Sequence, residues 1–104
     1  MRRALRAIGL DREVAQADAV REWPAVATKV IGQDAARTRA VRVEEATLVV
    51  AVPTAQWAAE LRLRERDLLA ALERSAPGAA LRRIRSVPDE PPPGRSHDDK
   101  AATD

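Results

Sequence analysis

The sequence lacks several residue types on which enzymes and metal sites depend. Its 104 residues include no cysteine, no tyrosine, no phenylalanine and a single histidine, His97. Without cysteine there is no disulfide, no thiolate nucleophile and no cysteine zinc site, and one histidine cannot form a histidine metal cage. The four glycines lie far apart in the chain, so no glycine-rich phosphate loop is present. We therefore predict no metal, no cofactor and no small-molecule substrate.

Catalytic groups are equally scarce. None of the serines has a candidate base beside it, and His97 lies in a polar tail. Glu44 and Glu45 are adjacent carboxylates, which a hairpin turn sends in different directions, so we expect both to face solvent. The sequence predicts a protein that is not an enzyme.

Charge divides the chain into a basic body and an acidic tail. Residues 1–87 hold 16 basic and 11 acidic side chains, whereas residues 88–104 hold 2 and 5. The tail is rich in proline and has almost no apolar residues with which to offset its ordering entropy. We predict a basic N-terminal segment (1–10), one folded domain (11–87) and a disordered acidic tail (88–104).

Neither an export signal nor a membrane span is predicted. Only residues 7–10 separate Arg6 from Asp11, which is too short for the apolar part of a signal peptide. The longest uncharged stretch, residues 46–59, is shorter than the roughly 18–20 residues that a span needs, and Pro53 interrupts it. We expect a cytoplasmic protein with no membrane partner.

Hydrophobic periodicity predicts the order helix, strand, strand, helix, strand. Residues 11–31 carry apolar side chains at helical spacing, with Asp11 as N-cap, Gly32 as stop signal and a kink or restart at Pro24. Residues 39–43 and 47–52 alternate as the strands of a hairpin, which places Val41 and Val43 on the face that meets the helices.

A second helix and a third strand follow the hairpin. The helix begins after Thr54, a candidate N-cap, and Glu65 falls inside its apolar stripe, which predicts a bend near residues 63–66. Residues 81–87 are predicted to form the last strand, with Arg83 and Arg85 facing away from the helices. The fold class is a small α+β domain, a three-stranded sheet covered by helices on one face. The predicted structural core includes Trp23, Trp57, Leu61, Leu68, Leu72 and Ile84.

Arginines and two tryptophans are the remaining candidates for function. Arginine makes planar, bidentate contacts with phosphate and carboxylate, and 16 of the 18 basic residues are arginines. The alternative for the arginines is a solvated surface on which they pair with neighbouring acidic side chains. The tryptophans either stack on nucleic-acid bases or, as the alternative, belong to the hydrophobic core. The candidate nucleic-acid contacts are Arg37, Arg39, Arg42, Arg82, Arg83 and Arg85, and a separate cluster is formed by Arg62, Arg64 and Arg66.

Six short segments together resemble a known family. They are Glu22–Pro24, Val30–Gly32, Leu48–Val52, Trp57–Leu61, Leu68–Leu72 and Leu81–Arg85. The most specific part is the alternating strand followed within five residues by Trp-Ala-Ala-Glu-Leu. Over residues 13–87 the chain resembles the DciA family, the bacterial loaders of the replicative helicase DnaB.

This resemblance implies a KH-like domain that engages a DnaB-type helicase and assists its deposition on single-stranded DNA without hydrolysing ATP, in the cytoplasm and near the nucleoid. The chain departs from the pattern at the hairpin turn, which usually carries a glycine, and it has no Gly-x-x-Gly loop, so arginines have to contact the nucleic acid. The candidate helicase contacts are Arg62, Arg64 and Arg66, on the helix that contains Trp57, or the edge of the sheet. The alternative is a KH-like module that binds single-stranded DNA or RNA without a helicase.

Overall fold

A long helix precedes the sheet, and two short helices connect its last two strands. The computed structural model describes residues 2–89, with side chains from residue 11 onward. In chain order the elements are α1 (Arg2–Val30), a 3-10 turn (Gln33–Arg37), β1 (Arg39–Glu44), β2 (Thr47–Val52), α2 (Ala55–Leu63), α3 (Glu65–Ser75) and β3 (Arg83–Pro88). This order confirms the predicted small α+β domain, with the second predicted helix divided in two.

β2 is the central strand of a mixed three-stranded sheet. It pairs with β1 in an antiparallel hairpin and with β3 in parallel. The parallel pair requires a crossover connection, which α2 and α3 supply. Leu48, Val50 and Val52 join the core cluster with the helices, whereas Val49 and Ala51 alternate to the opposite face. In the described part of the chain the helices therefore cover one face of the sheet, as predicted.

The core lies where one side of each helix meets β2. Four of the side chains predicted for it are almost fully buried, namely Trp23, Leu61, Leu68 and Leu72. Trp57 and Ile84 are partly buried and pack against the same cluster.

Helix α1 is longer and less interrupted than its sequence predicts. It runs from Arg2 to Val30, so Asp11 lies inside it rather than at its cap, and the predicted boundary at residues 10/11 falls within the helix. Of the two alternatives predicted at Pro24, a kink or a restart, the restart is wrong, because the helix continues through this residue. Pro24 is exposed, so the hydrogen bond that proline cannot donate is missing on the solvent side, while Trp23 and Val26 hold the other side in the core.

The helix after the hairpin breaks at Arg64, within the predicted bend. Thr54 caps its beginning by accepting a hydrogen bond from the Trp57 backbone N–H at 3.3 Å. At the break, the Glu65 carboxylate accepts a hydrogen bond from the backbone N–H of Ile84 at 2.8 Å. Glu65 thus lies on the apolar side of the helix because it binds the edge of β3. The same break leaves Leu63 79% exposed.

A bulge in β1 changes which of its side chains face the helices. The register shifts between Ala40 and Arg42, so Ala40 and Val43 pack against the core while Val41 lies at the irregularity. The prediction that Val41 and Val43 share the core-facing side is therefore wrong for Val41. A bulge places two residues opposite one on the partner strand, which strict alternation in the sequence does not reveal.

The hairpin turn consists of two residues, Glu45 and Ala46, and not three as predicted. Their φ values are 43° and 65°, which is the left-handed conformation that a type I′ turn requires. Asparagine, aspartate or glycine normally occupies these positions, because a side chain of another type is strained there. The Ala46 carbonyl accepts hydrogen bonds from the backbone N–H groups of Arg82 (2.7 Å) and Arg83 (3.3 Å), which hold the turn against the start of β3.

Ala46→Gly is expected to raise the free energy of unfolding by about 1 kcal/mol, because glycine adopts positive φ without the steric penalty of a Cβ atom. Urea denaturation of both proteins, followed by circular dichroism, measures the difference. Ala59→Gly, at an exposed position inside α2, is the control and should destabilise by about 1 kcal/mol. A loss of stability in Ala46→Gly would contradict the assigned turn.

Two further predictions concern the end of the described chain. β3 spans Arg83–Pro88, so it begins later than the predicted Leu81. The predicted disordered tail, residues 88–104, lies outside the described residues from residue 90 onward. Within residues 2–89, none of the helices combines the length and the apolar character needed to cross a membrane.

Candidate nucleic-acid interface

The sheet face opposite the helices carries arginines on both outer strands. Cross-strand register places Arg42, Val49 and Arg85 in one row, and Thr47 and Arg83 in the next. The strand alternation that buries Leu48 and Val50 on the helix side therefore sends these arginines to the other side. The arginines of this outer face are Arg39 and Arg42 on β1, and Arg83 and Arg85 on β3.

Carboxylates at the strand ends bind three of these arginines. Glu44 is paired with Arg42 on its own strand and with Arg85 across the sheet, the latter at 3.0 Å between Oε1 and a guanidinium nitrogen. Asp89 binds Arg39 at 2.8 Å in the same way. Among the described ion pairs, none includes Arg83.

The outer face also includes a buried apolar side chain. Val49 is completely buried although it lies outside the core cluster, and its neighbours in register are Arg42 and Arg85. We attribute its burial to the aliphatic stems of these two arginines, because long charged side chains cover apolar surface while their ends stay in water. The outer face is thus an apolar central strand bordered by two lines of arginines.

Glu44 remains ionised in this environment. The hydrogen bond from Arg42 is the main cause that lowers the pKa of Glu44 below its ordinary value. The charges of Arg42 and Arg85 and the hydrogen bond from Arg85 act in the same direction, against a desolvation that raises it. The carboxylate therefore keeps its negative charge, and both ion pairs, at neutral pH.

A groove of about 1070 Å³ extends from the outer face around the edge of β3 that faces away from β2. On one side it is bounded by α2, which contributes Ala58 and Arg62, and by Glu65 of α3. On the other side it is bounded by the hairpin turn and the outer face. The residues that β3 and its approach contribute are Arg82, Arg83, Ile84, Arg85 and Ser86, and those of the hairpin are Glu44, Glu45 and Thr47.

The groove combines arginines from the two clusters that the sequence analysis assigned to different partners. It brings Arg62, expected to contact a partner protein, together with Arg82, Arg83 and Arg85, expected to contact nucleic acid. The crossover explains this, because it returns the chain to the sheet beside α2.

Three of the predicted arginines lie outside both the outer face and the groove. Arg37 ends the 3-10 turn and is exposed. Arg64 is paired with Glu60 at 3.0 Å, one helical turn earlier. Arg66 is exposed on α3. None of the three lines the groove with Arg62.

Two glutamates at this site are not identified by sequence reasoning. Glu44 is exposed, as expected, but it is the last residue of β1 rather than part of the turn, and it binds two arginines. The signal was present, since Glu44 lies two residues after Arg42 and so shares its face of a strand. In the sequence, Glu65 is recognisable only as a polar residue in an apolar stripe. Its partner is the backbone N–H of Ile84, and a pattern of side chains contains no information about backbone contacts.

The described residues offer no site for a bound metal. Within this part of the chain, no three His, Asp or Glu side chains are placed to hold an ion together. The arginine surface instead provides guanidinium groups on a sheet face and along a strand edge. Guanidinium groups are able to form charge-assisted hydrogen bonds with anions such as phosphate.

A comparison with models of protein families identifies the family of this chain. The family model described as "Dna[CI] antecedent, DciA" matches residues 1–86. The chain belongs to the DciA family. The match includes all of α1 and continues into β3, so the arginines of the outer face and the groove lie within the matched region. The resemblance to the DciA family over residues 13–87 is thereby confirmed. A comparison with curated proteins found no match.

Proposed function

We propose that this DciA-family chain is a non-enzymatic adaptor of DNA replication that binds a DnaB-type helicase and assists its loading onto single-stranded DNA. The observation that carries this proposal is the family match over residues 1–86, because the family is associated with helicase loading rather than with catalysis. The role is exercised in the cytoplasm, at the nucleoid.

The outer sheet face and the groove are the proposed DNA surface. Arg39, Arg42, Arg82, Arg83 and Arg85 supply the positive charge, and Arg37 lies beside the beginning of β1. Arginine binds the phosphate backbone independently of sequence. Because neither tryptophan lines the groove, stacking of bases plays no part there, and we expect affinity that depends on salt and not on base sequence.

The junction of α2 and α3 is the proposed helicase surface. Leu63 is 79% exposed and lies between Arg62 and Arg64, with Arg66 one turn further along. An exposed leucine surrounded by arginines fits an apolar depression bordered by carboxylates on a partner protein. Arg62 lines the groove as well, so it lies where the proposed DNA and helicase surfaces meet.

The test is size-exclusion chromatography with light scattering of the chain mixed with the replicative helicase of the same organism, with and without single-stranded DNA. A stoichiometric complex is expected without DNA. Arg66→Glu should weaken this complex, because charge reversal opposes an acidic partner surface. Arg74→Glu is the matched control, since Arg74 is exposed in the last turn of the same helix and should have no effect.

One result would overturn this proposal and leave the alternative. If the chain elutes separately from the helicase but shifts with DNA, helicase binding is excluded and a KH-like nucleic-acid-binding module remains. Unchanged helicase binding in Arg66→Glu would move the helicase contact away from the α2–α3 junction while keeping the proposed function.

A further inference from the structure

One carboxylate joins two arginines that come from opposite edges of the sheet. Arg42 is on β1 and Arg85 is on β3, and the central strand separates them, yet both guanidinium groups reach Glu44. The side chains of both arginines are 52% exposed and that of Glu44 is 44% exposed. Exposed ion pairs contribute little to folding stability, so stabilisation of the sheet does not account for this arrangement.

The position of Glu44 is unfavourable for DNA binding as long as its carboxylate stays there. It neutralises part of the charge of two arginines on the surface proposed for DNA, and it lines the groove that continues from this face. The same geometry shows what these two arginines are able to bind: a single anion of carboxylate or phosphate size, held from both sides by guanidinium groups.

We propose that Arg42 and Arg85 form a phosphate subsite for single-stranded DNA, and that the Glu44 carboxylate occupies this subsite in the free protein and leaves it when a backbone phosphate binds. This inference rests on the proposed function in taking DNA as the ligand. It goes further in naming the two arginines and the internal competitor.

Glu44 is placed so that it can leave without disturbing the fold. It is the last residue of β1, its side chain is on the outer face, and the turn Glu45–Ala46 follows directly. Rotation of the side chain into solvent therefore breaks only the two ion pairs and keeps the backbone ladder. A backbone phosphate carries one negative charge on two non-bridging oxygens, as a carboxylate does, so the exchange is favoured when neighbouring phosphates of the same strand bind Arg82 and Arg83 at the same time.

The exchange limits how tightly the surface holds DNA. Each phosphate that enters the subsite displaces a carboxylate, so the net gain is smaller than for two unpaired arginines. A strand held in this way is released more readily than from an open arginine pair, which suits an adaptor that passes the strand to a helicase.

The test compares Glu44→Gln with Glu73→Gln. Both variants remove one negative charge, but Glu73 is exposed on α3, does not line the groove and takes part in none of the ion pairs among the described residues. Fluorescence anisotropy with a labelled oligothymidylate gives the affinity over a series of salt concentrations. Glu44→Gln should bind about three- to tenfold more tightly at low salt, because no carboxylate then competes with the phosphate for Arg42 and Arg85. Glu73→Gln should change the affinity by less than about twofold.

A second substitution tests whether the gain comes from the subsite itself. In the Glu44→Gln background, Arg85→Lys retains the charge but loses the bidentate fork, so most of the gain should disappear. Thermal unfolding followed by circular dichroism checks that each variant is folded.

Three outcomes would overturn the subsite. They are an equal gain in the two glutamate variants, a weaker affinity in Glu44→Gln, and absence of DNA binding in both the parent chain and Glu44→Gln at low salt. The helicase complex is measured separately with the parent chain, so failure of the subsite and failure of the helicase proposal give different results.

Discussion

Trp23→Ala is expected to lower the free energy of unfolding by about 3–5 kcal/mol. Among the side chains that the structure describes, Trp23 is the largest that is fully buried, and it packs in the cluster where α1 meets the sheet. Its indole Nε1–H donates a hydrogen bond to the Thr38 hydroxyl at 3.0 Å, and that hydroxyl donates to the Ala35 carbonyl at 2.6 Å. The substitution therefore removes a large apolar surface and a buried hydrogen bond together.

Urea unfolding monitored by circular dichroism measures this loss, and two variants calibrate it. Thr38→Val keeps the volume but leaves the indole N–H without an acceptor, which should cost about 1–3 kcal/mol. Val14→Ala removes an apolar side chain that is 56% exposed and should change stability by less than about 0.5 kcal/mol. A loss below about 1 kcal/mol in Trp23→Ala would show that the ring is not a core element and would reopen a stacking role.

The pattern of apolar and polar residues within a segment predicted those helices and strands whose structure is determined by that segment alone. The alternation in residues 47–52 matches β2, and the polar residue in an apolar stripe at Glu65 marks the break between α2 and α3. Local pattern failed where a distant contact decided the outcome. Pro24 does not interrupt α1, because the packing of Trp23 and Val26 outweighs one missing hydrogen bond on the exposed side.

The hairpin turn is a second case in which a distant contact decides the local conformation. Glu45 and Ala46 have poor propensity for positive φ, so their sequence gives no turn signal. The conformation is stabilised by hydrogen bonds from Arg82 and Arg83, which follow more than thirty residues later. Strain of this kind is tolerated when tertiary contacts determine the backbone, and no local pattern contains that information.

The candidate site was predictable in its parts but not in its assembly. Alternation correctly placed Arg83 and Arg85 on the outer face, because the side-chain period of a strand is fixed. The pairing of Arg42 and Arg85 with Glu44 depends on strand order, which alternation does not specify. The entry of Arg62 into the groove depends on the path of the crossover.

The double substitution Arg83→Glu and Arg85→Glu is expected to weaken the binding of single-stranded DNA by about 10- to 100-fold at low salt, if the outer face binds the phosphate backbone. Both side chains are exposed on this face and line the groove, so two attractive charges become repulsive while the core is unchanged. The log–log salt slope should become shallower by about 1.4, because two phosphate contacts are lost. Fluorescence anisotropy with a labelled oligothymidylate measures both quantities.

The matched control for that experiment is Arg12→Glu with Arg74→Glu. These residues are exposed on α1 and α3, on the helix side of the sheet, and their substitution changes the net charge by the same amount. If DNA binding depends on where the arginines lie, the control loses much less affinity than the outer-face variant. Equal losses would show that DNA responds only to the total charge of the protein, and unchanged binding in the outer-face variant would exclude this face as the DNA surface. Because the control keeps Arg62, Arg82, Arg83 and Arg85 intact, the comparison separates the groove from the general positive charge of the domain.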